Sequence, residues 1–106
     1  MSQIRALFEN LESRFKPSAS TDLTAVFQYQ LKEGEHFHFD INNGQCTLGE
    51  GIHESPSVTM KMKFDTLKKL SNGELDGMKA LMFGKLKVSG DMMLASRLPH
   101  LFPLKR

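Results

Sequence analysis

The chain has 106 residues, a formal net charge of +2, 25% charged and 40% apolar residues. That length supports one domain with its own core, and the charge leaves no electrostatic footprint for nucleic acid. No apolar run approaches the roughly 18 residues a membrane-spanning helix needs, and the first fourteen residues lack the unbroken apolar core of a signal peptide. Cys46 is the one cysteine, so no intrachain disulfide can form. This agrees with a reducing compartment, and the expectation is a free-standing cytoplasmic protein.

Ser2 is placed to cap a first helix. Ile4, Leu7, Phe8, Leu11 and Phe15 then recur at helical spacing, and Lys16-Pro17 ends the element because the residue before proline is pushed out of helical geometry. The stripe is expected to pack into the core. Transient docking on a membrane surface is the sharper reading, but only Arg5, Arg14 and Lys16 would serve it. Residues 17–22 read as a short polar linker.

Residues 24–31 alternate, with Phe27, Tyr29 and Leu31 on one face and Gln28 and Gln30 on the other. A turn over 32–35 leads to 36–41, where Phe37, Phe39 and Ile41 are apolar. Asn42-Asn43-Gly44 makes the next turn, and 45–48 form a third short strand. The expected unit is an antiparallel meander with one oily face. Residues 49–57 read as a crossover loop and 57–63 as a strand, with Val58, Met60 and Met62 on one side and Thr59, Lys61 and Lys63 on the other.

Leu67 and Leu70 precede Asn72-Gly73. Met78, Leu81, Met82 and Phe83 precede Gly84. Leu86 and Val88 alternate with lysines before Gly90. Glycine just past an apolar run is a common helix stop, and Asp76 and Asp91 stand where N-caps belong. The pattern predicts two short helices, a strand over 85–89, and a terminal helix carrying Leu94, Leu98 and Phe102, broken near Pro99. Two strands joined by a helical crossover imply a mixed sheet. Lys61, Lys63, Lys68, Lys69, Lys79, Lys85 and Lys87 fall within one region and are read as solubilising outward faces.

The run Leu70-Ser71-Asn72-Gly73-Glu74-Leu75, the segment 78–83, the run Gly84-Lys85-Leu86-Lys87-Val88-Ser89-Gly90-Asp91 and Met93-Leu94-Ala95 closely resemble the C-terminal half of sterol carrier protein type-2 domains. The resemblance extends over roughly residues 20–103, most specifically at 84–91. It implies an α+β domain: a five-stranded mixed or antiparallel sheet, with helices covering one face and enclosing a hydrophobic tunnel. The whole chain is expected to be one such domain, with an N-terminal helix over 1–16 and a core over 17–106. In that family the tunnel holds fatty acids, fatty acyl-CoA, phospholipids or sterols. The chain's final tripeptide does not match the peroxisomal tag on which animal members often end.

Phe27, Tyr29, Phe37 and Phe39 are expected on the inner face of the sheet. Methionines 60, 62, 78, 82, 92 and 93 are expected near the covering helices, where a flexible, polarizable side chain adapts to varied apolar partners. Composition alone favours a filled core; the resemblance favours a lined cavity. The expected ligand-binding set is Phe27, Tyr29, Phe37, Phe39, Met60, Met62, Met78, Leu81, Met82, Phe83, Leu94, Leu98 and Phe102. His36, His38 and Asp40 share one strand face, with His53-Glu54 nearby. They read as a solvated row rather than metal ligands, so no metal or cofactor is expected. No G-x-S-x-G or phosphate-loop pattern occurs, and no catalytic residue is assigned. The expected function is lipid binding or transfer without catalysis. The alternatives are an accessory factor serving enzymes of ubiquinone or isoprenoid-lipid synthesis, and an interaction module with a filled core.

Overall fold

The computed structural model describes residues 3–103, so the expected cap at Ser2 lies outside the described residues. Helix α1 (Gln3–Ser13) turns its apolar stripe inward, with Phe8 and Leu11 buried. It tightens through Arg14 and Phe15, whose amides donate to the carbonyls of Leu11 and Glu12. The segment expected as a linker contains a single 3-10 turn, Pro17–Ala19.

Strands β1 (Thr24–Leu31), β2 (His36–Asn42) and β3 (Gln45–Glu50) form the expected antiparallel meander. Asn43 (φ 46°) and Gly44 (φ 88°) both take left-handed geometry between β2 and β3. This is the type I′ hairpin pattern, whose twist matches that of the strands. Strand β3 runs two residues further than its apolar pattern indicated. Strand β4 (Val58–Met62) lies parallel to β1, pairing Phe27 with Val58 and Leu31 with Met62. Strand β5 (Leu86–Gly90) returns antiparallel to β4. The mixed sheet has the order β3-β2-β1-β4-β5. Gly90 sits at φ 96° against β4, where a Cβ would lie 2.7 Å from the Ser57 carbonyl oxygen.

The crossover from β4 to β5 carries α2 (Phe64–Ser71) and α3 (Gly77–Met82); α4 (Met92–Ala95) and α5 (Leu98–Leu101) follow β5. Asp76 caps α3 by accepting from the Met78 amide, and Asp91 caps α4 by accepting from the amides of Met93 and Leu94. The terminal helix is broken near Pro99, as expected, though not by it. The break falls at Ser96 and Arg97, and Pro99 sits in the first turn of α5, where a missing N–H costs nothing. Two arginines tie this roof down. Arg14 donates to the Ser71 carbonyl at 2.6 Å, and Arg97 to the Ala19 carbonyl at 2.9 Å.

The sheet's inner face carries Phe27, Tyr29, Phe37, Phe39, Met60 and Met62, all buried. The outer face differs from expectation. Gln28 points away from the helices yet is wholly buried, because the loop after β3 folds over it. Its amide nitrogen donates to the carbonyls of Phe37 and Gly51, and its oxygen accepts from the His53 amide at 2.7 Å. Beneath the same loop His38 is half-buried, with Nδ1 3.2 Å from the Gly51 oxygen. Gly49 is the position that admits this ring, since a Cβ there would lie 2.3 Å from His38 Nε2. His36 is also half-buried, so of the row His36, His38 and Asp40 only Asp40 is exposed as alternation suggested.

Candidate functional site: an apolar cavity under the short helices

Over β2 and β3 the inner face is filled. The Phe8 ring stacks on Phe37 at 4.6 Å between centroids and meets Tyr29 edge-on at 5.2 Å. Phe102 returns from the C-terminal segment to Phe39 at 4.7 Å and to Phe15 at 5.7 Å. Glu12 reaches from α1 to accept from the Leu48 amide of edge strand β3, fixing the helix across the meander.

Over β4 and β5 the cover is looser: Met60 and Met62 are still buried, but Leu86 and Val88 of β5 are only half-buried. A cavity of about 710 Å³ lies there, between the sheet and the roof made by α2 to α5. Its floor is Tyr29, Met60, Met62, Leu86 and Val88. Leu67 and Leu70 enter from α2, Met78 and Leu81 from α3, Leu98 and Phe102 from the C-terminal segment, and Leu11 from α1. Among the described residues its polar side chains are Tyr29, Ser71, Asp76 and Ser96, and no lysine, arginine or histidine lines it.

The structure thus gathers Tyr29, Met60, Met62, Met78, Leu81, Leu98 and Phe102 around one space. It keeps the other residues of the expected set away. Phe27, Phe37 and Phe39 are inner-face residues spent on the filled core beneath α1 and its flanks. Leu94 packs against the core without lining the cavity. Met82 and Phe83 are 76% and 67% exposed. Ala80 is wholly buried on α3, while Met78 and Met82, each two residues from it and about 40° apart round the helix, are both largely exposed; Met78, at the helix start, still borders the cavity. Leu67, Leu70, Leu86, Val88 and Met92 also line the space. Their signal was present in the alternation of β5 and the stripe of α2, but alternation names a face, not what covers it.

Cys46 is half-buried on β3, away from the cavity. Burial pushes its thiol up to about 12, and the carboxylates of Glu12 and Asp40 add to this. These surroundings oppose thiolate formation. Among the described residues no group of three or more His, Cys, Asp or Glu side chains is arranged to hold a metal ion. No helix among the described residues is long and apolar enough to cross a membrane.

A family model described as the SCP-2 sterol transfer family matches residues 4–103. This chain belongs to that family. Its sequence is 30% identical over 100 residues to hydroxysteroid dehydrogenase-like protein 2 of Xenopus tropicalis and 33% identical over 93 residues to the Bos taurus protein. These matches cover 92% and 81% of this chain but only 24% and 22% of the relatives. The chain therefore spans about a quarter of the length of the curated relatives it matches. The crystal structure of sterol carrier protein 2 like 2 from Aedes aegypti superposes with a TM-score of 0.75 at 26% identity, covering 92% of this chain and 94% of that one. The sec-alkylsulfatase Pisa1 from a Pseudomonas species superposes with a TM-score of 0.85 over 94% of this chain and 16% of the enzyme; at 20% identity it shows the fold alone. The five-stranded mixed sheet with its helices is the architecture of the sterol carrier proteins. In the general sense this is a lipid-binding domain of that family.

Proposed function

We propose that this domain takes a single lipid or fatty acyl chain into the cavity under α2 to α5 and holds it there without transforming it. The observation that carries the reading is a space of about 710 Å³ with mainly apolar walls, opening between the sheet and the short helices. That volume falls within the range of small-molecule sites. Each 100 Å² of chain surface leaving water contributes about 2.5 kcal/mol, before the costs of ordering are subtracted. The Aedes aegypti neighbour has also been solved in a palmitated form, at 27% identity and a TM-score of 0.74. A fatty acid, fatty acyl-CoA, phospholipid or sterol-like molecule would each present such a chain.

Transfer adds a membrane contact, and the surface that suits it is the cavity lip. Met78 and Met92 line the cavity and remain 66% and 51% exposed, with Met82, Phe83 and Met93 exposed on the same two helical segments. The apolar stripe of α1 does not suit it, because Phe8 and Leu11 are committed to the core. The second reading is an accessory role beside a lipid-metabolism enzyme, supported by the small share of its larger relatives that this chain spans. A ubiquinone-synthesis protein of the same fold, UbiJ-SCP2, is 16% identical and supports the fold of such a factor, not the role. We place either activity in the cytoplasm.

The test fills the cavity. Leu86→Trp combined with Val88→Trp should weaken binding of a fluorescent fatty acid by tenfold or more while circular dichroism stays native. Met82→Lys, on the outward face of α3, should bind as the parent does. A folded double variant that binds like the parent would remove the cavity as the binding site.

A further inference from the structure

We propose that the Tyr29 hydroxyl is the polar anchor of this cavity, and that it selects lipids bringing a neutral oxygen, a hydroxyl or a ketone or ester carbonyl, down to the sheet. This rests on the lipid-binding reading above. Of the four polar side chains that line the cavity among the described residues, three make a hydrogen bond within their own helical segment. Ser71 Oγ donates to the Lys68 carbonyl at 2.8 Å, Asp76 Oδ1 accepts from the Met78 amide at 3.2 Å, and Ser96 Oγ donates to the Met93 carbonyl at 2.6 Å. Each of those bonds is local to its own helix and would persist with or without a ligand.

Tyr29 is different. It stands on β1, the central strand, between Phe37 of β2 and Met60 of β4. Only 5% of it is exposed, its hydroxyl makes no hydrogen bond among the described residues, and it is not one of the buried polar atoms cut off from solvent. A hydroxyl that no protein group holds, on a residue lining the cavity, is free to bond with what enters. The ring is fixed by edge-on contacts with Phe8 at 5.2 Å and Phe39 at 5.8 Å. The hydroxyl is therefore a preorganised group awaiting an external partner.

The walls restrict what that partner can be. With no cation among the described residues that line the cavity, an ionised carboxylate or phosphate carried to the floor would be buried unpaired, which is far costlier than burying a neutral oxygen. Charged head groups stay at the lip. A neutral oxygen pairs with Tyr29, which both donates and accepts. Burial, followed by the nearby Cys46, raises the phenol above its ordinary value, so it keeps its proton.

The chain has one tyrosine and no tryptophan, so its intrinsic fluorescence reports Tyr29 alone. Delipidated protein would be titrated with dodecane, 1-dodecanol and 2-tridecanone, by displacement of a fluorescent fatty acid and by tyrosine emission. Tyr29→Phe should weaken dodecanol and the ketone about fivefold relative to dodecane, the size of one neutral hydrogen bond. In the parent, the two oxygenated ligands should change tyrosine emission and dodecane should not. Equal effects of Tyr29→Phe on all three, or emission that responds to all three alike, would overturn the anchor while leaving the cavity as the site. If dodecane and its oxygenated analogues all fail to displace the probe from the parent, the lipid reading falls and the anchor with it. Should Tyr29→Phe misfold, the emission titration of the parent decides alone.

Discussion

Two halves of one sheet face are covered in opposite ways. Over β2 and β3 lies α1, an 11-residue helix whose Phe8 meets three aromatic rings of the sheet. Around the cavity beside β4 and β5 stand four helices of eight, six, four and four residues, joined by turns, the last of them packed on the Pro17–Ala19 turn. The floors are similarly apolar; the difference lies in the covers. A single helix lays one continuous ridge into the sheet and drives large rings to the floor. Short helices cannot do so. They are too brief to be stable alone, and they lean on caps and cross-ties such as Asp76, Asp91, Arg14 and Arg97. A roof held at its ends by polar bonds can span a space without filling it.

Substitutions in the two halves should therefore differ most in stability. Phe8→Ala removes the plug of the filled half and should cost about 3–5 kcal/mol, measured by urea unfolding. Asp91→Ala removes a cap that satisfies two amides of α4 and should cost about 1 kcal/mol. It should also speed amide hydrogen exchange at Met93 and Leu94, while exchange in β1 and β2 follows the global stability. Met78→Ala, on the half-exposed cavity lip, should cost less than about 0.5 kcal/mol. If Met78→Ala proves as damaging as Phe8→Ala, the hollow half is as tightly built as the filled one and the contrast collapses.

What the amino-acid sequence determined by itself is local. The alternation of β1 marked its bounds at Thr24 and Leu31 and put Phe27, Tyr29 and Leu31 on one side, because a pleated strand leaves no other choice. Asp76 and Asp91 announced their helices, because a free amide at a helix start needs a nearby acceptor. The run of residues 84–91 pointed to the family. The helical crossover pointed to a mixed sheet, but the strands it joins, β4 and β5, pair antiparallel, and the parallel pair is β1 with β4. Only the tertiary structure decided what each side chain faces across the gap. It spent Phe37 and Phe39 on Phe8 and Phe102, turned Met82 outward, and buried Gln28 beneath a loop. It left Tyr29 at the edge of an open space with its hydroxyl unpaired. Periodicity encodes a face, but whether that face is filled or hollow depends on partners distant in the chain. That is set by which helix, long or short, closes over it.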